Sequence, residues 1–207
     1  MQLDTVAAGL MVRDPAAALQ RLRASWPPTG ERWVFAYASL IWRPEFDAAE
    51  RRPALLRGWH RALRMRSRVN RGTAEQPGLV FTLLPGGACR GFVVRMPVAS
   101  TVQQTEEQLD RLWAREMPTG VYDPRLLLCQ TQQGPVRALA FTLSRCSEAC
   151  LPPLPDAQLL QVLRHASGRY GSTLDYLLQT AASLREHGVR DREIERQVAL
   201  AQRHGLC

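Results

Sequence analysis

Between Asp14 and Trp26 the apolar positions Ala18, Leu19 and Leu22 recur at helical spacing, until WPPTG breaks the pattern. From there to about residue 143 the period shortens to that of strands. Six runs, at residues 32–37, 62–69, 78–84, 90–96, 126–131 and 137–143, are predicted as strands, separated by turn-forming stretches such as RGTAEQPG, PGGA and QQGP. In the second run Arg64, Arg66 and Arg68 alternate with Leu63, Met65 and Ser67, so a basic face should back an apolar one. One helix, from about 101 to 116, interrupts the strands. The last third is helical, at 156–165, 172–187 and 191–204, with Gly188 and Gly205 placed as C-terminal caps. In its middle helix Leu174, Leu177, Leu178, Ala181 and Leu184 form an apolar stripe fit to dock on a sheet. Strands in the middle and helices segregated around them predict an α+β fold, and about six strands suffice to curl into a small barrel. The PPLP at 152–155 is too short a linker to divide the chain, so residues 1–30 are expected as a helical extension and 31–207 as a single domain.

Composition narrows the chemistry. At 207 residues, 45% hydrophobic and 22% charged, the chain suits one globular domain with a real core. An early acid, Asp4, and no basic leader segment argue against a signal peptide, and no apolar run is long enough to span a bilayer, so a cytoplasmic location is expected. Five scattered cysteines without a CxxC pair point to reduced thiols, and the four histidines lack metal-ligand spacing, so no metal is expected. All 27 basic residues are arginine, which excludes Schiff-base chemistry, a Walker-A lysine and a lysine base. Eight arginines fall between Arg51 and Arg71. Without interleaved aromatics or a nucleic-acid-binding signature, that stretch reads as a solvated or substrate-steering face, with no nucleic acid as partner.

In TVQQTEEQLDRLWAREMP, Leu109, Leu112 and Trp113 define the buried face of the helix, and Glu116 follows them at i+7, i+4 and i+3. Its carboxylate should therefore face inward, whereas Glu107 lies about half a turn away and should face water. Burial and the negative end of the helix dipole both disfavour the charged form, and Pro118 ends the helix so that the group sits at a pocket edge. Such an acid suits general base work, although spacing alone favours a plain ion pair with Arg111, Arg115 or a strand arginine. Arg115 should project to another side, since consecutive helix residues do not share a face.

The stretch VFAYASLIW poses a separate question, because it sets small residues around a tyrosine where a buried strand must stop. Close approach of a small charged ligand to the backbone is one answer. Ser39 invites a serine-hydrolase reading, but no GxSxG elbow surrounds it. Tyr122 either donates a hydrogen bond to a ligand or caps the core, and Arg71 either meets a substrate carboxylate or makes a structural pair. Trp42 and Trp59 read as core.

Taken together, VFAYASLIW, RGTAEQPGLV, CRGFVVRMP, LWAREMPTGVYDPR and SGRYGSTLDYLLQT, in that order and spacing, resemble the ChaC-like γ-glutamylcyclotransferases from about Trp33 through the 172–187 helix. The resemblance implies a small mixed β-barrel and cleavage of glutathione to 5-oxoproline and cysteinylglycine, with no metal or organic cofactor. It also implies that Val34, Phe35, Ala36, Tyr37, Ala38, Ser39 and Leu40 form the loop that cradles the γ-glutamyl group, and that Glu116 handles the proton. One departure stands out: the family's loop reads GYG where this chain has Ala36 and Ala38. A methyl at position 38 would be unfavourable if the loop required φ > 0 there. Three rival readings remain, namely a cyclotransferase for other γ-glutamyl amides, a non-catalytic γ-glutamyl-binding homologue, and a nucleic-acid binder.

Overall fold

The structure, a computed structural model, describes residues 14–26, 30–44, 46–99 and 101–207. Residues 1–13 and 27–29 of the expected N-terminal extension, including the segment read for a leader, lie outside the described residues. Helix α1 (Pro15–Ser25) is capped by Asp14, whose carboxylate accepts from Ala16 N, and carries proline in its first turn, where the missing N–H costs nothing. Its Ala18 and Leu22 belong to the same apolar cluster as the barrel interior.

Five strands close the barrel: β1 (Trp33–Ala36), β2 (Glu50–Ser67), β3 (Gly78–Arg95), β4 (Asp123–Thr131) and β5 (Gly134–Thr142), in the order β1-β3-β2-β4-β5. β1 completes the circuit by pairing antiparallel with β3 and parallel with β5, so all four of its residues are buried. Helix α2 (Val102–Glu116), capped by the Thr101 hydroxyl on Gln104 N, lies between β3 and β4 in the chain. It is strapped to α1 and to the chain preceding β1 by Glu106, which meets Arg23 at 2.6 Å and Arg32 at 2.7 Å. Helices α3 (Asp156–His165), α4 (Thr173–Glu186) and α5 (Arg192–Arg203) follow, with a two-residue hairpin of β6 (Ser167–Gly168) and β7 (Gly171–Ser172) before α4. A capping box of Ser172 and Asp175 starts α4, and Gly188, at φ 71°, ends it.

The expected six strands become five because PGGA is not a turn. Gly86 and Gly87 have positive φ and Gly58 opposite them does too, so β2 and β3 stay paired through an irregularity between Arg57 and Trp59 and bend together. The first half of β2 went unrecognised because ERRPALLRGWHR holds a proline and a glycine among four arginines. Pro53 is tolerated because β4 joins only from Ala54 onward, leaving one side of the strand without a neighbour at that point.

Several arginines of the basic run are committed to internal contacts. Arg61 is buried and pairs with Asp191 at 2.8 Å, Arg64 Nε donates to Leu151 O, Arg52 meets Glu50 at 2.5 Å, and Arg71 is buried. The alternation about Arg64 survives only in part, since Arg64 and Arg66 are half-buried beside the buried Leu63 and Ser67. Trp42 and Trp59 are half-buried at the edge of the core.

Candidate active site

The barrel closes weakly on one side. β3 and β5 pair at Leu83 and Thr142, and Leu143 N donates to Leu83 O, but the pairing does not continue to Phe81 and Phe141. Main-chain groups facing that gap find tyrosine hydroxyls in place of strand partners. Tyr37 donates to Phe141 O at 2.9 Å, Tyr122 to Phe81 O at 3.5 Å, and Phe81 N donates to the Tyr176 hydroxyl at 3.3 Å. The gap is a cavity lined by Tyr37, Ala38, Ser39, Leu40, Glu116 and Tyr122, with Phe81, Phe141 and Tyr176 as its remaining walls. Its enclosed volume is about 20 Å³, room for roughly one water.

Of the loop expected to cradle a ligand, Tyr37 to Leu40 line this cavity, whereas Val34, Phe35 and Ala36 do not. Those three are held inside β1 by pairing with β3, and their part is to deliver the loop. At Gly91 a Cβ would come within 2.5 Å of Ala36 O, so the close backbone approach is made by the glycine of CRGF and not by the loop's own alanines. Ala38 has φ −147°, outside the left-handed region, so the alanine is compatible with the sign of φ the loop adopts. It opens a single 3₁₀ turn, Ser39–Ile41, whose first bond runs from Ile41 N to Ala38 O at 2.8 Å. The amides of Ser39 and Leu40 stand at the start of that turn, where N–H groups have no acceptor within it.

Glu116 is the last residue of α2, its side chain 13% exposed, and Met117 N closes the helix on Trp113 O at 2.8 Å. Leu109, Leu112 and Trp113 are buried as the spacing required, and Glu107 is exposed. Arg115 departs from expectation. Its Nε lies 3.1 Å from Glu116 Oε1, because at the free end of the helix the long side chain folds back along the rim, where it also donates to Arg43 O. The ion pair and the cavity-facing acid, alternatives on spacing, coexist.

Burial raises the ionisation of Tyr37 and Tyr122 well above the ordinary phenol range, with the nearby Glu116 charge adding to it in both. Tyr176 is pushed up to about 12, chiefly by burial, while its contacts with Phe81 and with the Ser39 hydroxyl oppose the rise. Three protonated hydroxyls therefore surround one carboxylate. Sequence reasoning missed Tyr176, Phe81 and Phe141. The signal for Tyr176 was present as polar residues Thr173, Tyr176 and Thr180 at helical spacing on the buried side of α4.

A wider groove of about 680 Å³ opens beside the cavity, lined in part by Trp42, Arg43, Phe46, Gln108 and Arg111, with Asp47 as its acid. The Trp42 ring meets Tyr176 edge-on at 6.4 Å, so the two spaces share a wall. Among the described residues no group of three or more His, Cys, Asp or Glu is placed to hold a metal ion, and no helix is long and apolar enough to cross a membrane.

A family model described as ChaC-like protein matches residues 32–204. A glutathione-specific γ-glutamylcyclotransferase of Escherichia coli is 33% identical over 177 residues, covering 85% of this chain and 75% of that protein. The corresponding protein of Schizosaccharomyces pombe is 29% identical over 191 residues, covering 81% and 89%. In structure, a yeast γ-glutamylcyclotransferase specific to glutathione superposes with a TM-score of 0.72 at 19% identity, covering 84% of this chain and 97% of that one.

Proposed function

From a chain that belongs to the ChaC-like family, we infer a γ-glutamylcyclotransferase that releases 5-oxoproline and cysteinylglycine from glutathione, with Glu116 as its proton-transfer group. The observation that carries the reading is that Glu116 and the loop Tyr37 to Leu40 line one cavity whose remaining polar groups are phenols.

A γ-glutamyl amide contains its own nucleophile, so the protein needs no attacking side chain. Glu116 takes one proton from the α-ammonium, which frees the lone pair to attack the γ-carbonyl carbon. The new C–N bond closes a five-membered lactam, and the amine's second proton passes to the leaving nitrogen as the old C–N bond breaks. The proton held by Glu116 then returns to the released amine. No water is consumed. Folding the chain back in a near-attack pose can supply effective molarities of about 10⁵–10⁸ M, and a positioned base typically adds about 10²–10⁴-fold. The Tyr176 hydroxyl, kept protonated by burial, accepts from Phe81 N and so keeps its own proton for the substrate carbonyl as it gains charge, while Tyr37 and Tyr122, whose protons go to Phe141 O and Phe81 O, hold the walls of the site. The amides that open the 3₁₀ turn suit the α-carboxylate. The enclosed room is small, so a γ-glutamyl group enters by parting the side chains at the mouth, and their closure excludes water from the amide. The adjoining groove leaves space for the leaving dipeptide. With five unpaired cysteines the chain suits a reducing cytoplasm, where glutathione is abundant.

The test is product analysis. The purified protein should form 5-oxoproline from glutathione faster than from γ-glutamylalanine or γ-glutamyl amines. A preference for the latter would reassign the substrate, and glutathione binding without product would make the chain a receptor.

A further inference from the structure

Arg71 is 7% exposed, yet among the described residues no carboxylate lies within ion-pair distance of it. Its guanidinium has five N–H donors, and the hydrogen bond it makes is a long one, Nη1 to Ser172 O at 3.4 Å. The acid whose charge reaches it, Asp175, spends its Oδ2 on Ser172 N at 3.2 Å within the capping box of α4. A guanidinium buried without a carboxylate is costly, and the surroundings hold it there firmly. Arg71 N donates to Ser67 Oγ at 3.0 Å, and the Thr173 hydroxyl donates to Arg71 O at 3.2 Å. Backbones around it are threaded through glycine: a Cβ at Gly78 would fall 2.0 Å from Arg71 O, one at Gly72 2.0 Å from Gly78 N, and one at Gly168 2.6 Å from Gly72 N. These contacts knit the RGTAEQPG and SGRYGS segments into one rigid support.

The charge is held by rings. Arg71 stands 5.0 Å over the ring of Tyr176, a residue that lines the Glu116 cavity, and Arg43 stands 5.3 Å over Tyr170. Burial weakens the hold of Arg71 on its proton, and the charge of Arg43 adds to it in smaller measure. A ring stabilises a guanidinium through its face and leaves the N–H edge open for a planar, two-oxygen acceptor.

We propose that Arg71, supported by Arg43, receives a carboxylate of the γ-glutamyl substrate at the edge of the Glu116 cavity, over the ring of Tyr176. The proposal rests on the cyclotransferase reading above. Glutathione offers two such groups, on the glutamyl α-carbon and on the glycine, and the test separates them. Arg71→Gln, Arg71→Lys and Arg43→Gln are compared with the unsubstituted protein on glutathione, its glycine amide and its α-amide. Arg71→Gln raises KM for glutathione by about 10–100-fold, the range for a hydrogen bond to a charged group, with kcat changed less than about threefold. Arg71→Lys recovers part of the loss, and Arg43→Gln reproduces a smaller KM increase. The amide that lacks the recognised carboxylate binds the unsubstituted protein more weakly and no longer responds to Arg71→Gln, which identifies the group. Equal effects of Arg71→Gln on all three compounds, or a fall confined to kcat, would overturn the proposal. Calorimetric binding of the three compounds, to the unsubstituted protein and to Arg71→Gln, stands apart from turnover. Equal affinities sink the carboxylate site, and so does discrimination that Arg71→Gln leaves intact, since the main-chain amides would then be the receptor; discrimination lost in Arg71→Gln but without 5-oxoproline sinks the cyclotransferase reading and keeps the site.

Discussion

Glu116→Gln is the sharpest perturbation of the proposed chemistry. The amide matches the carboxyl in shape, and its oxygen can still accept from Arg115 Nε, now 3.1 Å away, so the end of α2 and the cavity wall should persist. What disappears is a group able to take a proton from an ammonium and return it. A positioned base contributes about 10²–10⁴-fold, which corresponds to about 3–5 kcal/mol of barrier at roughly 1.4 kcal/mol per tenfold. That loss should fall on kcat. KM should shift little, since loop and groove contacts are untouched. The assay is the initial rate of 5-oxoproline release from glutathione by the variant and the parent protein, with a thermal melt of each to verify folding. A variant that melts with the parent and retains turnover within about fivefold, well short of the general-base contribution, would refute the assignment, leaving Glu116 as the partner of Arg115 and no more.

Tyr176→Phe removes the acceptor of Phe81 N and the partner of Ser39. It should lower stability by about 1–3 kcal/mol for the orphaned N–H and kcat roughly 10–100-fold through the misplaced loop; a lower melting point with unchanged kcat would confine Tyr176 to structure. Ala38→Gly should bring no gain, because φ at 38 is already negative; the expected result is activity within about threefold and a loss of up to about 1 kcal/mol from chain entropy, and a large rise in rate would mean that the methyl obstructs the ligand. Stability should fall as pH climbs from about 10 toward about 12. Tyr37, Tyr122 and Tyr176 have folded-state values raised above the unfolded one, so the folded chain binds more protons above about 10; their contribution is complete below that pH, and that of Tyr176 is lost as pH passes about 12. Denaturant midpoints that stay flat across this window would contradict their burial.

Local pattern made the helices legible nearly to the residue. Asp156 begins α3 and His165 ends it as expected, and Thr101, Ser172 and Asp191 sit as caps because hydroxyl and carboxylate side chains answer a need internal to each helix. Glu116 was legible for the same reason, since its orientation follows from three neighbours on one helix. The long ribbon of β2 and β3 was not. Pro53, Gly58, Gly86 and Gly87 break the local signal, and only pairing between distant segments keeps the strands continuous past them. Phe81, Phe141 and Tyr176 escaped for a related reason. Each reads as core in its own segment, and each becomes a wall only because closure brings β3, β5 and α4 to one gap.

That gap joins stability to chemistry. A barrel closed along its whole length would leave no main-chain groups near Phe81 and Phe141 in need of partners, and no room beside the end of α2. Here the strands separate, and phenols fill the ladder positions that a strand would have taken. Each phenol thus meets a demand of the fold, a buried carbonyl or N–H that would otherwise stand unpaired, and in doing so sets a protonated hydroxyl beside Glu116. No substitution among these tyrosines can touch the chemistry without also exposing an unmet backbone group. Loss of rate and loss of stability should therefore fall together at Tyr37, Tyr122 and Tyr176 and separate at Glu116, whose removal as a charge leaves every strand hydrogen bond in place.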